Sequence, residues 1–116
     1  MEEYAKTVKI AHDEVVRAMA RALGLEENSF IDGYGENPQI AARINYYPPC
    51  PDVDIVRQVS RHADVSAVTF LLIDREVEAL EVLKDDQWFK VPIIPHAIVV
   101  LVGDQIEVFL SSLFPI

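Results

Sequence analysis

A single cysteine, Cys50, leaves the chain without a partner for an internal disulfide, which fits a reducing compartment. Basic residues are scarce: 10 Lys and Arg stand against 19 Asp and Glu, a formal charge of −9. Nucleic acids and anionic membrane surfaces draw their affinity from Lys and Arg, so neither is an expected partner. Long apolar runs are missing too. The longest, residues 97–102, falls far short of the ~20 residues that span a bilayer. The acidic start Met1-Glu2-Glu3-Tyr4 does not read as a secretory leader. No internal repeat or low-complexity tract occurs. Together these absences predict a cytoplasmic location. What is present is a globular composition, 51% apolar over 116 residues, which bounds the chain to one domain at most.

Along the chain the pattern begins as helix and turns to strand. Tyr4, Val8, Ala11, Val15, Met19 and Leu23 recur every three or four residues, predicting an amphipathic helix with one buried stripe. Gly24 supplies its stop, and residues 25–31 predict a second short helical turn. Residues 32–38 form a loop rich in Asp, Gly and Asn. Residues 42–47 are β-prone and are closed by Pro48-Pro49-Cys50-Pro51, which cannot continue a ladder. Strands are predicted over 65–73 and 78–83, and over 87–91 pairing with the latter across Lys84-Asp85-Asp86. The β-branched run 97–102 predicts a strand buried on both faces, after which Gly103-Asp104 turns the strand series into 105–110. One helix followed by short, evenly spaced strands predicts a helix packed on a β-sandwich or barrel.

The segment that carries chemistry is Ser60-Arg61-His62-Ala63-Asp64. In an extended strand, residues two apart project from one face, so the His62 imidazole and the Asp64 carboxylate can point at one spot. An imidazole and a carboxylate are two thirds of a 2-His-1-carboxylate site, the facial set that suits non-haem Fe(II) and leaves positions open for oxygen and a co-substrate. The plainer reading of the same pair is a histidine hydrogen-bonded to a neighbouring aspartate.

Five segments agree in order and spacing with one family. They are Arg43-Ile44-Asn45-Tyr46-Tyr47-Pro48-Pro49-Cys50-Pro51, His62-Ala63-Asp64, Asp74-Arg75-Glu76-Val77-Glu78, Asp86-Gln87-Trp88 and Val102-Gly103-Asp104-Gln105. The series resembles the plant Fe(II)/2-oxoglutarate-dependent dioxygenases, nearest in flavour to the norcoclaurine synthase-like and senescence-related subgroup, and it runs over nearly the whole chain. The resemblance implies a mainly β fold with an N-terminal helix, a partial double-stranded β-helix or jelly roll. In it, residues 1–38 are a helical segment packed outside the barrel and 39–116 an incomplete dioxygenase domain.

The same resemblance implies that His62 and Asp64 are metal ligands and that Asn45 and Tyr47 reach 2-oxoglutarate. No catalytic residue is expected beyond the metal ligands. The implied cofactors are Fe(II), with 2-oxoglutarate as co-substrate and ascorbate in support. The partners are O2 and a small specialised metabolite, oxidised as 2-oxoglutarate is decarboxylated. Family members continue with Ser-Asn-Gly, a second metal-binding histidine and an Arg-x-Ser pair, which residues 108–116 do not carry. The resemblance therefore implies a form truncated at both ends, with impaired catalysis and an unpaired strand edge open to self-association. Ala79 stands where relatives often have glycine.

The alternative function is a non-catalytic remnant acting as a binding or interaction module, recruiting a second chain by β-augmentation. His96, after Pro95, is read as a polar loop residue and His12 as a solvated side chain beside Asp13. Asp74, Glu76, Glu78 and Glu81 lack the glycine-pivoted spacing of a calcium loop and are read as a solvated hairpin face. Trp88 and Phe89 are read as packing residues, and Cys50 as inert.

Overall fold

A computed structural model of the chain describes residues 2–49 and 61–114. They fall into two compact units, divided between Ser60 and Arg61. The first unit holds helix α1 (Glu2–Ala22) and the short helix α2 (Ser29–Gly33). Glu2 and Glu3 lie in the first turn of α1 and Arg21 in its last, each charge placed favourably for the helix dipole. The helix ends as the sequence predicts. Gly24 takes φ +69°, its N–H donates to the Arg21 carbonyl at 3.1 Å, and the Leu25 N–H donates to the Ala20 carbonyl at 2.9 Å. Those two bonds are a Schellman cap, which needs a residue at ease in the left-handed region.

α1 meets α2, and the side chains withdrawn from solvent are Val16, Ala20 and Phe30. The buried stripe is therefore rotated from the predicted one: Tyr4 is 53% and Leu23 41% exposed, and Ala11 is exposed. Arg17 ties the helices at the surface, donating to Asn28 Oδ1 at 3.2 Å, and Arg21 pairs with Glu27. Such exposed pairs add little stability, so the three buried apolar groups carry the contact.

His12 corrects the expectation of a solvated side chain. It is only 22% exposed, with its ring centroid 5.4 Å from that of Tyr34 and Nδ1 3.1 Å from Asp13 Oδ1. Asp13 also accepts a bond from Lys9 Nζ at 2.6 Å. Burial opposes ionisation of Asp13, but Lys9 and His12 outweigh it and draw its carboxyl below the usual 3.8. A depressed carboxylate contributes its stability above its unfolded value and loses it as pH falls through the folded one. The first unit is thus expected to lose helix below about pH 4, and Asp13→Asn to flatten that dependence in a far-UV circular dichroism titration.

Tyr34 is half-buried, and its hydroxyl has no hydrogen-bond partner among the described residues. Burial and the Asp13 charge both push its phenol upward. A buried hydroxyl without a partner costs about 1–3 kcal/mol, so Tyr34→Phe is expected to raise stability by about 1 kcal/mol in urea unfolding.

Residues 42–47 form no strand, which corrects the sequence expectation: Ile44 is 88% and Tyr46 83% exposed. Strand preference expresses itself only against a ladder, and no described strand pairs with this segment.

The second unit contains β1 (Val68–Leu71), β2 (Glu81–Lys84), β3 (Gln87–Lys90), β4 (Val99–Val102) and helix α3 (Asp104–Leu113). β1 pairs antiparallel with β4, matching Val68 to Val102 and Leu71 to Val99. β2 pairs with β3 as a hairpin matching Lys84 to Gln87. Its two loop residues, Asp85 and Asp86, both take positive φ, 51° and 58°, the backbone of the twist-matched two-residue turn.

Two further expectations are corrected here. The run 97–102 is not buried on both faces: Val99 and Leu101 are half-buried, while Val100 is 38% and Val102 57% exposed. Residues 105–110 are helix, not strand. Ile106, Phe109, Leu110 and Leu113 repeat at i, i+3, i+4 and i+7, and Asp104 and Glu107 favour a helix N-terminus. Ile106 is its buried anchor, 2% exposed. Helices of 21, 5 and 10 residues stand beside four strands of 4 residues. Among the described residues the fold is thus helices with small antiparallel strands, which agrees in part with the expected N-terminal helix followed by strands. No described helix is long and apolar enough to cross a membrane.

Candidate metal centre

His62 and Asp64 precede β1 rather than lying in it, since the ladder begins only at Val68. The alternation that was to align them is therefore not at work, yet their side chains converge: His62 Nε2 lies 3.6 Å from Asp64 Oδ1. The His62 side chain is 59% exposed and that of Asp64 27%. One donor faces solvent and the other is partly set into the protein.

The backbone around Asp64 is held by the turn after β4. The Asp104 N–H donates to the Asp64 carbonyl at 2.8 Å, and the Gly103 N–H donates to the Ala67 carbonyl at 2.9 Å. Ser66 Oγ and Thr69 Oγ1, 3.0 Å apart, add a side-chain bond between this segment and β1. Sequence reasoning missed this brace. The Gly103-Asp104 pair was visible as a motif, but its target, some forty residues earlier, was not.

Two donors each about 2.1 Å from a common ion stand about 3 Å apart at right angles and about 4.2 Å apart when opposite. The observed 3.6 Å is within about 0.6 Å of the right-angle spacing of a facial set, so a small closure of the imidazole nitrogen and the carboxylate oxygen would let them share one ion. Nitrogen and oxygen donors together fit ferrous iron. Among the described residues no group of three or more His, Cys, Asp and Glu side chains is gathered, so the pair supplies two donors and no third.

Asn45 and Tyr47 belong to the first unit, in the irregular segment that follows α2, and both are exposed, Tyr47 by 54%. His96 is exposed at a turn where it takes φ +62°. Asp74 is not simply a solvated acid: its Oδ1 accepts the N–H groups of Glu76 at 2.7 Å and Val77 at 2.9 Å, which hold its carboxyl below the usual range. Trp88 and Phe89 are 53% and 48% exposed on β3. Cys50 lies outside the described residues.

The profile of the 2OG-Fe(II) oxygenase superfamily matches residues 39–115, and the chain belongs to that family. It is 43% identical over 108 residues to a flavonol synthase/flavanone 3-hydroxylase of Eustoma exaltatum subsp. russellianum, covering 92% of this chain and 32% of that protein. It is 36% identical to jasmonate-induced oxygenase 2 of Arabidopsis thaliana, over 98% of this chain and 31% of the relative. With 1-aminocyclopropane-1-carboxylate oxidase 4 of Solanum lycopersicum it shares 34% identity over 97% and 36% of the two chains. The chain spans about a third of the length of these plant relatives.

Proposed function

We propose that this chain is part of an Fe(II)/2-oxoglutarate-dependent dioxygenase, with His62 and Asp64 as two of its iron ligands. The observation that carries the reading is the 3.6 Å approach of His62 Nε2 to Asp64 Oδ1, inside the residues matched by the family profile. In the same reading, β1 and β4 belong to a double-stranded β-helix formed by residues 39–116, and residues 1–38 are a helical segment outside it. Asn45 and Tyr47 help place 2-oxoglutarate. The substrate is a small plant metabolite, in the range suggested by relatives named for flavonoids and 1-aminocyclopropane-1-carboxylate.

Bound ferrous iron supplies the oxygen chemistry that couples 2-oxoglutarate decarboxylation to oxidation of the metabolite. The residues of this chain bind and orient. His62 offers a neutral ring nitrogen and Asp64 an ionised oxygen, since metal ligands must be deprotonated. The partly covered Asp64 carboxylate is held through its own backbone by the Asp104 N–H, and the His62 imidazole is the more exposed of the two donors. Among the described residues the pair supplies two donors of the three-donor facial set.

The test is to incubate the 116-residue chain with Fe(II), ascorbate and carboxyl-labelled 2-oxoglutarate and to count released carbon dioxide. Release above that of His62→Ala is the expected result. Release equal to that variant overturns the catalytic reading.

A further inference from the structure

Resting on the reading of Asp64 as an iron ligand, we propose that Gly103 and the peptide N–H of Asp104 are the positioning elements that aim its carboxylate. Three observations meet at this point. The Asp104 N–H donates to the Asp64 carbonyl at 2.8 Å, fixing the peptide from which that side chain springs. The Gly103 N–H continues the β1–β4 ladder onto the Ala67 carbonyl at 2.9 Å, so the turn is registered by the sheet itself. A Cβ on Gly103 would lie 2.1 Å from the Ser66 carbonyl oxygen and 2.6 Å from that of Asp64.

The glycine is required for space, not for its dihedral angles. Gly103 has φ −103° and ψ 179°, an extended backbone open to any residue. What it grants is contact between two backbones, with the Asp64–Ser66 carbonyls seated where a methyl group would stand. Those atoms are main chain and cannot swing aside as a flexible side chain does. An added methyl drives them back by roughly an ångström to reach ordinary van der Waals separation. The Asp64 carboxylate moves with its backbone, while His62, two residues away, is not tied to Gly103 by either bond. The 3.6 Å spacing of the two donors is therefore the quantity this brace sets. The Asp104 side chain is exposed and takes no part; only its N–H is used.

The experiment uses the 116-residue chain and Mn(II) alone as a probe, following paramagnetic broadening of the His62 and Asp64 signals by NMR. Hydrogen exchange of the Asp104 amide is the metal-free readout. The unsubstituted chain should show a protected Asp104 amide and broadening that is lost in His62→Ala. In Gly103→Ala, with the β1–β4 amide pattern intact, the Mn(II) concentration for half-broadening should rise ~10–100-fold, the range for groups behind a metal ligand. The Asp104 amide of that variant should exchange faster. Asp104→Pro removes the donor at the first helical position, where proline costs the helix no bond, and it serves if the methyl variant does not fold. Asp104→Ala keeps the donor and should follow the unsubstituted chain. A fast-exchanging Asp104 amide in the unsubstituted chain overturns the brace. His62-dependent broadening that Gly103→Ala and Asp104→Pro leave unchanged overturns this inference alone. Absence of His62-dependent broadening in the unsubstituted chain removes the iron-ligand reading, and the inference with it.

Discussion

His62→Ala is expected to weaken divalent metal binding by more than a hundredfold while leaving the fold in place. Among the described residues the imidazole is one of two donors gathered at the centre. Removing groups behind a ligand already costs ~10–100-fold, and removing the ligand itself costs more. The side chain is 59% exposed, so its loss opens no cavity and breaks no core. Surface substitutions of that kind usually stay within about 0.5 kcal/mol. A large change in binding beside a small change in stability is the signature of a ligand, and calorimetric titration with Co(II) beside thermal unfolding reads both. A structural histidine would give the reverse pattern. Asp64→Asn, which keeps an oxygen but removes the charge, should fall between the two.

Phe30→Ala carries the largest expected cost in stability, about 3–4 kcal/mol. Among the described residues the first unit withdraws Val16, Ala20 and Phe30 from solvent, and Phe30, at 2% exposure, is the largest of them. Truncating it loses the transfer free energy of the ring and leaves a void between two helices that have little else to hold them. The surface pairs Lys6–Glu2, Arg17–Glu14 and Arg21–Glu27 cannot make up the difference, since exposed pairs contribute about 0–1 kcal/mol each. With so small a core, a loss of that size is a large share of the 5–15 kcal/mol typical of whole proteins. α2 should detach and α1 fray, read as lower helicity by circular dichroism and a lower urea midpoint. A cost under about 1 kcal/mol would show that the ring is not the contact holding the helices together.

Features written within a few residues were readable before the structure. The stop at Gly24 and the hairpin around Asp85-Asp86 rest on local backbone preference, and both are found where the residues point. The strand at 42–47 was misread because β preference needs a ladder partner that no local pattern supplies. The helix over Asp104–Leu113 was misread for a different reason. A run of strands set the expectation, although the spacing of Ile106, Phe109, Leu110 and Leu113 already spelled the helical period. At the centre itself, the His62-Ala63-Asp64 motif was legible as a pair of donors. The contact of Gly103 and Asp104 with the Asp64 segment was not, because it depends on where β1 and β4 bring distant backbone. His12 was misplaced in the same way, since its cover, Tyr34, comes from beyond α2.

The most direct test is to crystallise the chain with Mn(II) in place of oxygen-sensitive iron and to locate the metal by its anomalous scattering. One peak bonded to both His62 Nε2 and Asp64 Oδ1, at about 2.1–2.3 Å from each, is the expected result. A metal bound elsewhere, or the imidazole and carboxylate turned away from each other with no peak between them, would contradict it.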